Sequence, residues 1–329
     1  MLFRSQHRDP RHASYQHLLI HQPPKQWQAE TELIYEKDFN PNHPIFTIVI
    51  PIHNQEDFLE RQIQSVFVHT IGSYELIVIL DGCRDNSKDV LLEVLKTSPI
   101  PHQLSSITVF ENQDGMFETS ADNLGFTKAR GEILVEIQAD MEIRTTGYNL
   151  NLAAPLKIYS DLIAISGRCC HRINNNSLGY NLGKMGKLVE QPHHILQHYE
   201  NHNAVFLSHS INRGPLALDK QKVADLGYLD ELHYCLGNDD HDLFLRAWDQ
   251  KGWRTGFVPI EFHSPLERGS TRQKRPRNTQ DALDQRRQEE HKGYYSVHHK
   301  HAIYPCSQTR FPEASQRVNA LNSLLKVSR

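Results

Sequence analysis

The apolar positions of this chain alternate between two periods. From about residue 44, short runs rich in β-branched residues predict strands, and between them apolar residues recur at helical spacing. Strands are expected at 46–51, 75–80, 106–111 and 133–137. Helices are expected at 56–70, where Phe58, Leu59, Ile63, Val66 and Phe67 share a face, at 85–96, and as an interrupted pattern over 121–130 before Gly131. This order predicts an α/β fold with a mostly parallel central sheet and helices on both faces.

The second half carries the same signals more weakly. Residues 162–166 read as a strand, 205–207 and 214–218 as short apolar pieces, and 255–259 as a strand. Residues 242–251 form a helical pattern through Leu243, Leu245, Ala247 and Trp248, closed by Gly252. The Asn- and Gly-rich stretch 174–186 reads as a long loop, and Trp27 to Tyr35 as a short helix laid on the main domain. The expected organisation is a polar N-terminal extension (1–43), one domain (44–263, with halves 44–142 and 143–263), and a basic, partly helical or disordered C-terminal extension (264–329).

Composition narrows the class. With 38% hydrophobic and 23% charged residues, the chain reads as globular, and a net charge of −3 gives no global argument for a nucleic-acid partner. The five cysteines form no CxxC pair, which argues against a Cys-rich zinc site and a disulfide framework. No apolar stretch is long enough to span a bilayer, and Arg4, His7, Arg8, Asp9 and Arg11 open the chain without an apolar signal region. The expectation is a cytoplasmic or cytosol-facing protein, with peripheral membrane association open. The basic run Arg268, Arg272, Lys274, Arg275 and Arg277 precedes Asp281, Asp284, Glu289 and Glu290 and reads as a solvated tail.

The candidate chemistry sits at acidic strand ends. In an open α/β sheet the carboxyl ends of the strands line the ligand crevice. Asp81 ends one strand, Asp140 and Glu142 follow another, and Asp239, Asp240 and Asp242 open the 242–251 helix. Carboxylates so placed suit a hard divalent cation held against a phosphorylated ligand.

Five blocks, in this order and spacing, resemble the family 2 glycosyltransferases of the GT-A fold. They are Ile48-Val49-Ile50-Pro51-Ile52-His53-Asn54, residues 75–87 with Asp81-Gly82, residues 123–131, Gln138-Ala139-Asp140, and residues 227–231 followed by 237–243. The resemblance spans about residues 45–263. It implies transfer of a sugar from a nucleotide-sugar donor, a UDP-sugar being favoured, to a carbohydrate, lipid or protein acceptor. It places Pro51, Asn54, Asp81 and Gln138 on the nucleotide. Asp140, the last carboxylate of the family's DxD motif, and His263 would hold Mn²⁺ or Mg²⁺. Gln138 stands where the motif's first Asp belongs; its amide can hydrogen-bond but brings no charge. Asp240 matches the acceptor base and Asp239 the acidic residue before it, with Asp242 and Arg213 in acceptor or supporting roles. Adjacent carboxylates raise one another's pKa, which suits a base.

Other residues read structurally. Asp85 suits a helix start, Trp248 core packing, and Glu142 either an outer contact or a solvated surface. Arg168 lies in the expected acceptor half without an assigned role. Two rivals differ in class: an inactive GT-A-like binding or scaffold protein, and a nucleotidyltransferase. The latter calls for a Gly-rich, Arg/Lys-bearing loop after the first strand, where this chain has His53-Asn54-Gln55-Glu56.

Overall fold

The computed structural model describes residues 31–40, 43–113, 115–167, 173–175, 180–182, 204–208, 211, 213–231, 234, 239–258, 260–264 and 308–325. Its elements run β1 (Thr31–Asp38), β2 (Phe46–Ile52), α1 (Leu59–His69), β3 (Tyr74–Asp81), α2 (Ser87–Thr97), β4 (Leu104–Asn112), α3 (Glu118–Lys128) and β5 (Ile133–Glu136). They continue with β6 (Glu142–Ile143), α4 (Tyr148–Ile158), β7 (Leu162–Ser166), β8 (Ile173–Asn175), β9 (Tyr180–Leu182), β10 (Val205–Ser208) and β11 (Leu216–Asp219). The last are α5 (Lys220–Asp225), α6 (Asp239–Lys251), β12 (Arg254–Phe257), β13 (Phe262–His263), β14 (Gln308–Arg310) and α7 (Ala314–Leu325).

A ten-stranded sheet has the order β1-β4-β3-β2-β5-β11-β7-β12-β10-β14. Strands β4, β3, β2 and β5 run parallel, and β2, β3 and β5 are buried at every position, as strands covered on both faces are. One face packs on α1, α2, α4 and α7, the other on α3, α5 and α6. The chain builds outward from β2 to β3 and β4, then returns to place β5 on the other side of β2. That reversal opens a crevice at the carboxyl ends of β2 and β5.

Helix α3 lies unusually close to the sheet. A Cβ on Gly125 would stand 2.3 Å from Val49 Cγ1 of β2, so glycine is required for this approach. The approach carries the first turns of α3 against the end of β5.

Several expectations need correction. Thr31 to Tyr35 belongs to β1, an antiparallel partner of β4, and not to a helix. Its charged, largely exposed residues suit a sheet edge. The expected 174–186 loop holds parts of the β8–β9 pair, and the rest of it lies outside the described residues. Helix α4 was not anticipated: it contains Pro155 and is buried on nearly all sides, which removes the amphipathic period. Helices α3 and α6 each begin three residues earlier than expected, so Asp239 and Asp240 lie inside the first turn of α6. The two terminal extensions each contribute to the main sheet, through β1 and β14.

Candidate active site

The β2 and β3 ends form one side of the crevice. Pro51 is buried within β2, and Asn54 follows with φ of +52°. Asn54 Oδ1 accepts from the Arg84 N–H at 2.8 Å, while His53 Nδ1 lies 2.7 Å from the Asp81 carbonyl oxygen. The loops after β2 and β3 are thereby tied together. The Asp81 carboxylate accepts from Asn112 Nδ2 (2.9 Å) and from the backbone N–H groups of Met116 and Phe117 (2.8 Å each). Burial pushes its pKa up, and these donors pull it back toward the ionised form. Asp81 thus organises the loop before α3 from the carboxyl end of β3. Asp85 accepts from the N–H groups of Glu56 and Ser87, as a helix-start residue does.

After β5 the chain turns sharply, the Met141 N–H donating to the Gln138 carbonyl at 3.0 Å. Helix α1 braces this turn. Gln62 Nε2 donates to the same carbonyl (3.2 Å), and Ser65 Oγ accepts from the Ile143 N–H (3.0 Å). Asp140 sits in the turn, 6% exposed. Two residues on, β6 pairs with β13 in a register that sets His263 opposite Glu142, so a distant residue is delivered beside the Asp140 turn. The Nδ1 of His263 is buried and has no hydrogen-bond partner among the described residues. A carboxylate and an imidazole nitrogen are ligand types that could hold a divalent cation, imidazole suiting Mn²⁺ better than Mg²⁺. Glu142 itself is engaged by Arg61 at 3.2 Å.

The other side of the crevice is acidic. Arg213, buried, bridges two helices: one N–H group donates to Asp122 Oδ2 of α3 and another to Asp239 Oδ2 of α6. Thr119 Oγ1 adds a bond to Asp239 at 2.7 Å, and Glu118 lies 3.6 Å from the guanidinium. Glu136, the last residue of β5, is 1% exposed and completes the group. Burial drives the pKa of Asp122 and Glu136 upward, and that of Asp239 up to about 6; neighbouring carboxylates add to the rise while Arg213 opposes it. Burial also disfavours the guanidinium charge, but Asp239 and Asp122 hold it charged. Gln138 points the same way as Glu136, and its Nε2 donates to Glu118 Oε1 at 2.8 Å. A carboxylate at 138 would add negative charge to this group, whereas the amide supplies a donor.

Asp240 is 7% exposed, accepts from the His241 N–H at 2.8 Å, and acts electrostatically on Glu136. Asp242 faces elsewhere: it accepts from Arg246 Nε at 2.7 Å, and Arg246 in turn donates to the carbonyls of Leu226 and Tyr228. Trp248 is half-buried under the Arg254 guanidinium, 5.2 Å from the ring centre. Arg168, Asn238 and the 268–277 basic run lie outside the described residues.

The structure therefore joins Asp239 to Arg213 and sets His263 opposite Glu142, two residues past Asp140. Sequence reasoning missed Glu118, Asp122 and Glu136. Their available signals were the i, i+4 spacing of Glu118 and Asp122 and the glutamate that ends an otherwise apolar strand.

Residues 47–214, just over half of the chain, match glycosyl transferase family 2. The chain belongs to this family. Among curated family-like relatives, an uncharacterized glycosyltransferase of Nostoc is 30% identical over 94 residues, covering 29% of this chain and 27% of that protein. The minor teichoic acid biosynthesis protein GgaB of Bacillus subtilis is 28% identical over 173 residues, covering 50% of this chain and 18% of its own length. The chain thus spans only about a quarter or less of these two relatives. The fold is shared with the mannosyltransferase PcManGT from Pyrobaculum calidifontis, solved with GDP-Man and Mn²⁺. That likeness has a TM-score of 0.51 at 15% identity and covers 96% of this chain and 76% of that one. No helix among the described residues is long and apolar enough to cross a membrane.

Proposed function

We propose that this family 2 glycosyltransferase moves a sugar from a nucleotide-sugar donor to an acceptor hydroxyl with inversion at the anomeric carbon. What supports the reading is the place of three acidic residues at element ends: Asp81 at the end of β3, Asp140 in the turn after β5, and Asp240 in the first turn of α6.

The nucleoside lies against Pro51, Asn54 and Asp81, whose carboxylate accepts a base N–H. Gln138 reaches the donor through its amide oxygen. Asp140 and His263 hold Mn²⁺ or Mg²⁺, which when bound neutralises the charge that develops on the departing nucleoside diphosphate. Asp240 takes the acceptor proton. The acceptor oxygen then bonds to the anomeric carbon as the carbon–phosphate-oxygen bond breaks, and the electron pair leaves with the nucleoside diphosphate. Asp239 and Arg213 fix the turn that carries Asp240, and Asp242 anchors the same helix through Arg246. The mannosyltransferase solved with GDP-Man and Mn²⁺ supports a nucleotide-sugar donor and this class of cation. UDP-sugars are the first donors to test, and the acceptor is a carbohydrate, lipid or protein hydroxyl.

The test is turnover of UDP-, GDP- and dTDP-sugars with Mn²⁺, with products identified by mass. Release of a nucleoside diphosphate and a glycosylated acceptor is expected. Release of pyrophosphate would mean nucleotidyl transfer, and absence of turnover across donors and acceptors would support a binding protein.

A further inference from the structure

The buried acidic group beneath α6 holds more negative charge than its arginine can balance. Glu118, Asp122, Glu136 and Asp239 surround one guanidinium, that of Arg213. Several oxygens in the group are also orphaned. Among the described residues, both carboxylate oxygens of Glu136, Asp122 Oδ1 and Asp239 Oδ1 are buried without a hydrogen-bond partner. Glu136 is 1% exposed, and Asp122 and Asp239 are fully buried. Leaving such oxygens dry is costly for carboxylates above all. A proton shared between two of these carboxylates would remove one charge and satisfy one pair of oxygens, and the other orphaned oxygens would stay unsatisfied.

A cation removes both problems. One carboxylate oxygen each from Glu118, Asp122 and Glu136 lies within 4.8 Å of the others. That span is about twice a ligand distance of roughly 2.4 Å, so one ion can reach all three. The oxygens come from two turns of α3 and the end of β5, rigid elements held together by the Gly125 approach. Arg213 occupies Asp122 Oδ2, which leaves Oδ1 for the ion. The donor set is entirely oxygen, which selects hard divalent cations over softer ones.

We propose that Glu118, Asp122 and Glu136 form a binding site for a hard divalent cation of the Mg²⁺, Mn²⁺ or Ca²⁺ class, distinct from the Asp140–His263 edge. The ion welds α3 to β5 and, through the Asp122–Arg213–Asp239 bridge, fixes the first turn of α6. The site does not depend on the transfer reaction proposed above, because it needs no nucleotide.

The experiment is Mn²⁺ titration of the whole protein without nucleotide, with free Mn²⁺ counted by electron paramagnetic resonance. Wild type should bind Mn²⁺, Asp140→Asn should keep one Mn²⁺ of unchanged affinity at this site even where it loses ion held at the Asp140–His263 edge, and Glu136→Gln should bind at this site at least about tenfold more weakly. Glu118→Gln, at the partly exposed mouth of the group, should weaken binding likewise and decides the matter if Glu136→Gln fails to fold. The unfolding temperature of wild type should rise with Mn²⁺ concentration, since the ion binds only the folded chain. No nucleotide-free binding, binding equally strong in the Glu118 or Glu136 variant, or loss of all binding in Asp140→Asn would each overturn the proposal.

Discussion

Arg213 donates an N–H to Asp239, the residue immediately before the proposed base Asp240. The arginine leaves no surface role to assign: it is buried, and its second partner, Asp122, lies on another helix. Arg213→Ala leaves buried carboxylates without their counter-ion, and breaking a buried pair costs about 3–5 kcal/mol. Urea unfolding should show a loss of that order. Arg213→Lys, which keeps the charge but not the two-pronged geometry, should recover only part of it. Unchanged unfolding midpoints in both variants would remove Arg213 from the role of bridge.

Asp81 should show two effects. Asp81→Ala removes a buried acceptor of three donors as well as the proposed nucleoside contact. Affinity for the free nucleoside diphosphate should fall by roughly 1.5–3 kcal/mol, and the unfolding temperature should fall with it. Calorimetry and thermal melting on the same preparation separate the two. Lower stability with unchanged nucleotide affinity would leave Asp81 as a loop anchor alone.

Asp140→Asn should fold normally and lose the Mn²⁺-dependent part of donor binding. Calorimetric titration of donor with and without Mn²⁺ measures this. An equal Mn²⁺ effect in the variant would take Asp140 out of the site.

Stability should depend on pH in a direction set by the acidic group. Burial first, with the carboxylates of Glu118 and Asp239 adding, raises the folded pKa of Asp122 up to about 8. An unfolded aspartate titrates near about 3.9. Between these values the folded chain holds a proton that the unfolded chain has released, so stability falls as pH rises through this window. In metal-free buffer the unfolding temperature should drop across it, and Asp122→Asn should flatten the drop. A rise over the same range would contradict the sign.

The element ends that carry the candidate residues were legible because the strands before them have strong local patterns. Asp81 and Asp140 follow β-branched runs, and Asp240 opens a helix with a clear apolar face. The acidic group was not legible for a physical reason. In α3, Thr119, Ser120, Asp122 and Asn123 are all buried, against the amphipathic rule. Their partners come from far along the chain: Arg213 and Asp239 for Asp122 and Thr119, and the Leu229 backbone for Asn123. Local periodicity carries no trace of such pairing. The same holds for His263, whose place opposite Glu142 depends on the β6–β13 pairing of two very short strands.

In the reaction we propose, Asp240 removes the acceptor proton in a single inverting displacement. Asp240→Asn preserves size and the acceptor for the His241 N–H but cannot take a proton. Single-turnover transfer, with donor saturation established separately by calorimetry, tests this most directly. Donor binding should stay intact, the transfer rate should fall by about 10²–10⁴-fold, and the wild-type product should have inverted anomeric configuration. A near-wild-type rate in Asp240→Asn, or a product with retained configuration, would contradict it.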